Sequence, residues 1–412
     1  MKFPKMIPAL ADLSQDVAGP VPVELLRDWA SGTTDEGLAA ELLRPFAITG
    51  TVVATDTSGL SHLTRERDLL DVLAMVSRPK EIVHALGREA GGRAIGTWVA
   101  DNTEMFYAPD RPVSDVVAAM ADAQARIKAE SEVRIGMCAH WGDFYEIGGG
   151  LYGRDAETVE YLAERFAAPG EVLLTGAACS RLSADDGITV QRRPELDVVH
   201  TPGVFALSAA PRTTRVETDL RYPHGFTDAV FSALHQLQTT DAPRVRAEIY
   251  RSLLHERVVV FVARERGTTD GAQITALLDA LTGDTVFEAV LQRFPAAVAH
   301  TASLGGGLAI LCFEEAEQAL QVSYALRDAY LEMGLGVKVG IDAGPVLLFA
   351  NHHGPSGIAG DAVNIASKLC EDLGVENMLT VTARAAALMH DITGGAPFST
   401  RVSRVEVSGI RL

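Results

Sequence analysis

Two stretches of this 412-residue chain read as copies of each other, and duplication constrains folding more than any composition does, because each copy must bury the same kind of core. Residues 133–149 (VRIGMCAHWGDFYEIGG) match residues 337–353 (VKVGIDAGPVLLFANHH), both reading as an alternating strand V-x-[IV]-G-x-x-A followed by a second short strand. The likeness continues downstream. YGRDAETVEYLAERF (152–166) and AGDAVNIASKLCEDL (359–373) each read as a glycine-led helix, and PGEVLLTGAAC (169–179) and VENMLTVTARA (375–385) as the strand that follows.

Upstream, GTVVATDTSG (50–59) and RVVVFVAR (257–264) are apolar strands, each followed by a long helical pattern. A hairpin comes next in both halves, over residues 93–107 and 300–313. The order strand, helix, hairpin, helix, strand, hairpin, helix, strand contains the β-α-β-β-α-β kernel of a ferredoxin-like α+β sandwich. The chain then divides into a helical lead-in (1–47), a first domain (48–212), a linker with one amphipathic helix near 226–238 (213–250), and a second domain (251–412).

Composition bounds the partners. Fifty-four acidic against 36 basic residues leave a net charge of −18, a field that repels phosphate backbones and anionic membrane surfaces, so neither nucleic acid nor membrane is expected. A hydrophobic fraction of 47% excludes a disordered chain. Cys138, Cys179, Cys312 and Cys370 are widely spaced and form no C-x-x-C pair, which suits a reducing, cytoplasmic setting. The first residues lack the apolar core of a signal peptide, and a soluble protein is expected.

The segments ATDTSGLS, VADNTEMFY and GDAVNIASKL resemble the class III nucleotidyl cyclase homology domain, present here twice. The resemblance implies an intramolecular pseudo-dimer with active sites between the domains. In that family two aspartates on one domain hold two metal ions, Mg²⁺ or Mn²⁺, and the partner domain supplies base-selecting and transition-state residues. Asp56, at the end of the first strand, and Asp101, at the hairpin turn, fall at the two metal-carboxylate positions. Hard divalent cations held by oxygen ligands suit the deprotonation of a ribose hydroxyl beside a triphosphate. Taken singly, Asp56 also reads as a helix cap and Asp101 as a turn residue.

The second half has lost these acids: Arg264, or Ala263 with a one-residue slip, stands for Asp56, and Gly306 for Asp101. The reverse holds at the glycine-led helix. There Asn364 matches the ribose-orienting asparagine and Lys368 falls where the family has its transition-state arginine, whereas the first half has Glu157 and Tyr161. Complementary loss is what a single composite site between unlike halves would leave; random decay would strike both sets.

Departures from the family pattern concern the base. The purine-selecting lysine is replaced by Ala302, or by Thr97 in the first half, and the second base-selecting position is Gly357. Ser303, His300 or Ser356 are the polar residues left to contact a base there. Lys368 offers a point charge without the planar fork of arginine. His352 and His353 adjoin in a loop with no third ligand at metal spacing, so they do not read as a zinc site. The sequence thus predicts a divergent cyclase that closes a nucleoside triphosphate, ATP foremost, into a 3′,5′-cyclic monophosphate. The alternative is a catalytically inactive pseudocyclase that signals on binding a nucleotide or small ligand. The degenerate second cleft leaves room for a small-molecule effector, and one chain would act as a monomer.

Overall fold

The computed structural model describes residues 24–412 apart from 26–27, 30–31, 33–34, 58–66, 99–102, 197–202, 213–220, 265–273, 276, 279–280, 282–286, 288–289, 295–296, 303–307, 333–335, 352–353, 391, 393 and 403–404. Two eight-stranded mixed sheets carry the chain. The first comprises β1 (Ala47–Thr57), β2 (Arg93–Ala94), β3 (Thr103–Tyr107), β4 (Ile135–Ile147), β5 (Gly150–Tyr152), β6 (Val172–Thr175), β7 (Thr189–Arg192) and β8 (Val204–Ala209). Its order is β2-β3-β1-β4-β6-β8-β7, with β5 paired to β4. The second comprises β9 (Leu254–Arg264), β10 (Ala297–Ala302), β11 (Leu308–Phe313), β12 (Val337–Asn351), β13 (Gly354–Ala359), β14 (Leu379–Thr382), β15 (Ala396–Val402) and β16 (Val405–Arg411), in the order β10-β11-β9-β12-β14-β16-β15 with β13 on β12. The two orders are the same, strand for strand, and the expected α+β duplication is present.

Ten α-helices are described: α1 (Glu36–Leu43), α2 (Leu69–Glu89), α3 (Val113–Glu130), α4 (Arg154–Arg165), α5 (Gly176–Cys179), α6 (Asp228–Leu237), α7 (Pro243–Leu253), α8 (Ala316–Glu332), α9 (Asp361–Glu371) and α10 (Ala383–Ala386). In the first half, Val53, Met105 and Met137 pack with Ile82 and Leu86 of α2 and Val116 and Met120 of α3. Val52, Phe106 and Cys138 pack on the other side with Val159 and Leu162 of α4. A sheet covered on both faces needs apolar residues on both, which is why β1 and β9 read as nearly unbroken runs (TVVAT, VVVFVA) rather than as alternating strands.

The register refines the repeat. Thr175 and Thr382 each cap a short helix, accepting from Ala178 N and Ala385 N, so β6 and β14 superpose with Val172 answering to Leu379. Met137 lies beside Val172 and Val339 beside Leu379, so Met137 answers to Val339, two residues from the Ile341 that sequence matching pairs with it. A two-residue slip leaves the pleat alternation unchanged, and a period-2 pattern cannot detect it. The same register settles the fate of the first acid: Asp56 lies opposite Gly136 and Ala263 opposite Lys338, so Ala263, not Arg264, takes the place of Asp56.

The halves pack on each other reciprocally. Leu70 and Ala74 at the start of α2 lie with Leu347 and Phe349 of β12, joined by Leu234 of α6 and Ile249 of α7. Conversely, Leu278 and Leu281, from the helical stretch after β9, lie with Ile147 of β4, joined by Trp29 and by Leu43 of α1. Each first strand is therefore entered from a helix that helps to cover the contact with the other half. Two helices, α6 and α7, occupy the connecting segment, one more than the amphipathic pattern shows. Both are fastened: buried Glu81 of α2 lies 3.2 Å from His235 Nδ1 and accepts from Gln238 Nε2 at 3.0 Å, and Arg246 donates to Asp68 and Asp71. No described helix is long and apolar enough to cross a membrane.

Candidate functional site

Asp56 is half-buried one residue before the end of β1, on the face that Val52 and Ala54 share and that α4 covers. One residue earlier the hydroxyls of Thr55 and Thr103 lie 2.7 Å apart, joining the end of β1 to the first residue of β3. Asp101 lies outside the described residues, as do Ser303, Gly306, His352 and His353, and the side chains of His300 and Ser356. Among the described residues no group of three or more His, Cys, Asp or Glu side chains gathers as a metal site. A carboxylate at a strand end is the oxygen donor that Mg²⁺ or Mn²⁺ takes. Among the described residues, Asp56 is the carboxylate that stands at this edge of the first sheet.

A further acid stands on this face. Glu104 lies opposite Ala54 and so on the side of α4, with its Oε1 shielded from solvent and without a hydrogen-bond partner among the described residues. Burial first, then the charges of Glu160 on α4 and Glu146 on β4, push its carboxyl well above the ordinary range. Glu146 is itself paired with Arg93. Sequence reasoning missed Glu104; the available signal was a carboxylate within TEMFY, a strand otherwise rich in apolar residues.

In the second half the key element is α9. Ala362, Val363, Ile365, Ala366, Leu369 and Cys370 are its buried side. The remaining stripe, Asp361, Asn364, Lys368 and Asp372, follows helical spacing along the outer side. Gly340 allows α9 to sit against β12: a Cβ there would collide with the carbonyl oxygen of Ala366 and the backbone nitrogen of Cys370. Lys368 Nζ lies 3.3 Å from Asp372 Oδ2, and Asp372 Oδ1 lies 3.8 Å from Arg165 Nη2 at the end of α4. The stripe is thus turned toward the first half at its C-terminal end. On α4 the corresponding positions hold exposed Glu157 and Tyr161, the latter 47% exposed with its ring edge-on to Phe166.

Both glycine-led helices are tied down at their first turns. Beneath α4, buried His140 bonds through Nδ1 to the Thr175 hydroxyl at 2.8 Å, and its Nε2 lies 3.3 Å from Asp155 Oδ1. Burial raises the Asp155 carboxyl, but the adjacent His140, the hydrogen bond from the Asp143 N–H and the charge of Arg154 outweigh that and hold it below its ordinary value. Beneath α9 the position of His140 is taken by Asp342, fully buried. It accepts from Thr382 Oγ1 at 2.6 Å and from Arg384 Nε at 2.6 Å, with a second Arg384 nitrogen on its other oxygen.

Trp98, at the base of the first hairpin, belongs to the core. It is buried, donates its amide to Pro223 O at 2.7 Å and stacks on Tyr222.

The chain is similar to a class III adenylyl cyclase-like ATP-binding protein from Pseudomonas aeruginosa, at 13% identity and a TM-score of 0.51, over 84% of this chain and 85% of that one. It is also similar over 40% of its length to the adenylyl cyclase CyaB from P. aeruginosa (14% identity, TM-score 0.36, 96% of that chain). A third similar structure is the guanylate cyclase domain of RhGC from Catenaria anguillulae, in complex with GTP (14% identity, TM-score 0.34, 40% of this chain and 98% of that one). No family model matches the sequence, and no curated protein does. The fold is that of class III cyclase homology domains. It occurs here in tandem, with sequence far diverged from the solved examples.

Proposed function

We propose that this chain is a divergent class III nucleotidyl cyclase with one composite site between its two halves, residues 48–212 and 251–412. It closes a nucleoside triphosphate, ATP foremost, to a 3′,5′-cyclic monophosphate and pyrophosphate. The observation that carries this reading is the division of labour between equivalent positions. Asp56 has Ala263 as its counterpart, and Asn364 and Lys368 have Glu157 and Tyr161, so each half holds what the other lacks. The contact between Asp372 and Arg165 supports it, because it turns the α9 stripe toward the half that carries Asp56.

In this reading Asp56 and Asp101 hold the cations. Bound Mg²⁺ or Mn²⁺ supplies a lowered pKa at the ribose 3′-hydroxyl and charge neutralisation on the triphosphate. Asn364 holds the ribose so that its 3′-oxygen faces the α-phosphorus in line with the departing pyrophosphate. Lys368 exchanges Asp372 for the phosphoryl oxygens and offsets the charge that develops as the bond to the β-phosphate breaks. The reciprocal packing of α2 on β12 and of the second half on β4 supports a monomer that acts as a pseudo-dimer, since the same kind of surface is covered on both halves. The second cleft, beside Tyr161, is the place for an effector. A cytoplasmic location agrees with four free thiols.

A second reading has its own observation. Lys368 is engaged by Asp372, the base-selecting positions are Ala302 and Gly357, and the similar Pseudomonas protein is described as cyclase-like and ATP-binding. A chain that binds ATP without closing it would fit these three. Incubation with ATP, GTP, CTP and UTP separately, with Mg²⁺ or Mn²⁺ and mass-spectrometric detection, separates the readings. A cyclic product that vanishes in Asp56→Ala supports the enzyme. Nucleotide binding by calorimetry with no product from any base supports the binding module.

A further inference from the structure

The geometry assigns Arg384 a positioning role: it sets the rotation of α9 about its axis and thereby where Asn364 and Lys368 stand. This deepens the composite-site reading above and rests on it. Arg384 belongs to α10, yet its guanidinium spans two carboxylates on two other elements. One is Asp342 of β12, 0% exposed; the other is Asp361, whose Oδ2 lies 3.3 Å from Arg384 Nη2 in the first turn of α9. Asp342 has no access to water, so its oxygens are accommodated only with their donors in place, and this makes the Arg384 head a fixed point. Asp361 is tied to that fixed point.

The tie matters because of helical spacing. Asp361, Asn364 and Lys368 are three and then four residues apart, hence on one stripe. Fixing Asp361 fixes the azimuth of the whole stripe. Its far end has a second anchor in Asp372, which Arg165 reaches from the other half. Asn364 and Lys368 therefore lie between two carboxylates, each drawn to an arginine. The first half shows that the Arg384 device is specific. Ala177 stands where Arg384 stands, and a histidine, His140, makes the tie to the first turn of α4, the helix that lacks the Asn and Lys pair.

The test uses the full chain with two substitutions of graded severity. Asp361→Asn cuts the arm to α9 and leaves the buried Asp342–Arg384 pair intact. Arg384→Lys keeps a cation beside Asp342 but removes the fork that spans two carboxylates. The expected result in both is a fall of about tenfold in kcat for cyclic product with KM within about twofold, as befits misplacement of reacting groups. Amide exchange across Asp361–Asp372 is expected to rise while exchange in β6, in the other half, stays unchanged. Unaltered kcat together with unaltered α9 exchange in both variants overturns the assignment. Should the wild-type chain form no cyclic product, the functional reading falls and exchange alone decides the tie: faster exchange of α9 in Asp361→Asn upholds it, unchanged exchange overturns it.

Discussion

Arg165 and Asp372 occupy the same place in the two halves, each the same number of residues after the glycine that leads its helix, Gly153 and Gly360, and they meet each other at 3.8 Å. In a twofold arrangement a residue meets its own counterpart only beside the axis. Two identical copies would set like charge against like at that point. Here duplication and divergence have produced a complementary pair, a contact that favours joining the unlike halves over joining two like ones.

The first prediction concerns that pair. With side chains 59% and 35% exposed it is a weak contact, so Arg165→Asp should lower stability by no more than about 1 kcal/mol. The double exchange Arg165→Asp with Asp372→Arg should recover only part of the loss, because it also takes from Lys368 the carboxylate 3.3 Å away. Urea unfolding of the four variants in low and in high salt checks this, and the difference should shrink as salt screens the charges.

With Asp56 as a cation ligand of the proposed site, Asp56→Ala should abolish metal-dependent turnover, a loss of at least about a hundredfold. Product formation with Mg²⁺ and with Mn²⁺ measures it. Melting temperature should change far less than activity, since Asp56 is half-buried near the end of its strand.

Glu104 gives a prediction of opposite sign to the usual carboxylate. Its pKa is raised in the folded chain, so the folded state binds a proton that the unfolded state has released, and stability falls as pH rises from the ordinary carboxylate range toward the folded value. Glu104→Gln removes that dependence. The variant should match the wild type near pH 4 and exceed it at pH 7, as read by melting temperature across the pH range.

Asp155 behaves conventionally. Its pKa is held below the ordinary value, so its contribution is present above the unfolded carboxylate range and disappears as pH falls through the folded value. Asp155→Asn should therefore melt lower than the wild type at pH 7, with the two curves converging on acidification. His140→Gln should reproduce part of the effect, because it removes one of the partners that lower Asp155.

Gly340→Ala should displace α9. The added methyl meets backbone atoms of Ala366 and Cys370, which cannot turn aside as a side chain can. A cost of about 1–3 kcal/mol is expected, with a larger proportional loss of activity than Asp155→Asn shows. Denaturant midpoints and kcat measured on the same preparations test it.

The sequence by itself determined the duplication, the element order within each copy and the unequal distribution of Asp56, Asn364 and Lys368. These are local patterns of apolar period, glycine placement and residue type, and each is carried by neighbouring residues along the chain. Tertiary structure alone decided what depends on pairing between distant segments. The slip of two residues between β4 and β12 was invisible because a period-2 pattern is unchanged by it. The choice of Ala263 over Arg264 followed only from strand partners. Glu104 became an acid with a raised pKa only when α4 and β4 brought Glu160 and Glu146 beside it, and Arg384 became a bridge only when β12, α9 and α10 converged. Charge and hydrogen bonding between such groups depend on distance and burial, and neither quantity is written in the order of residues.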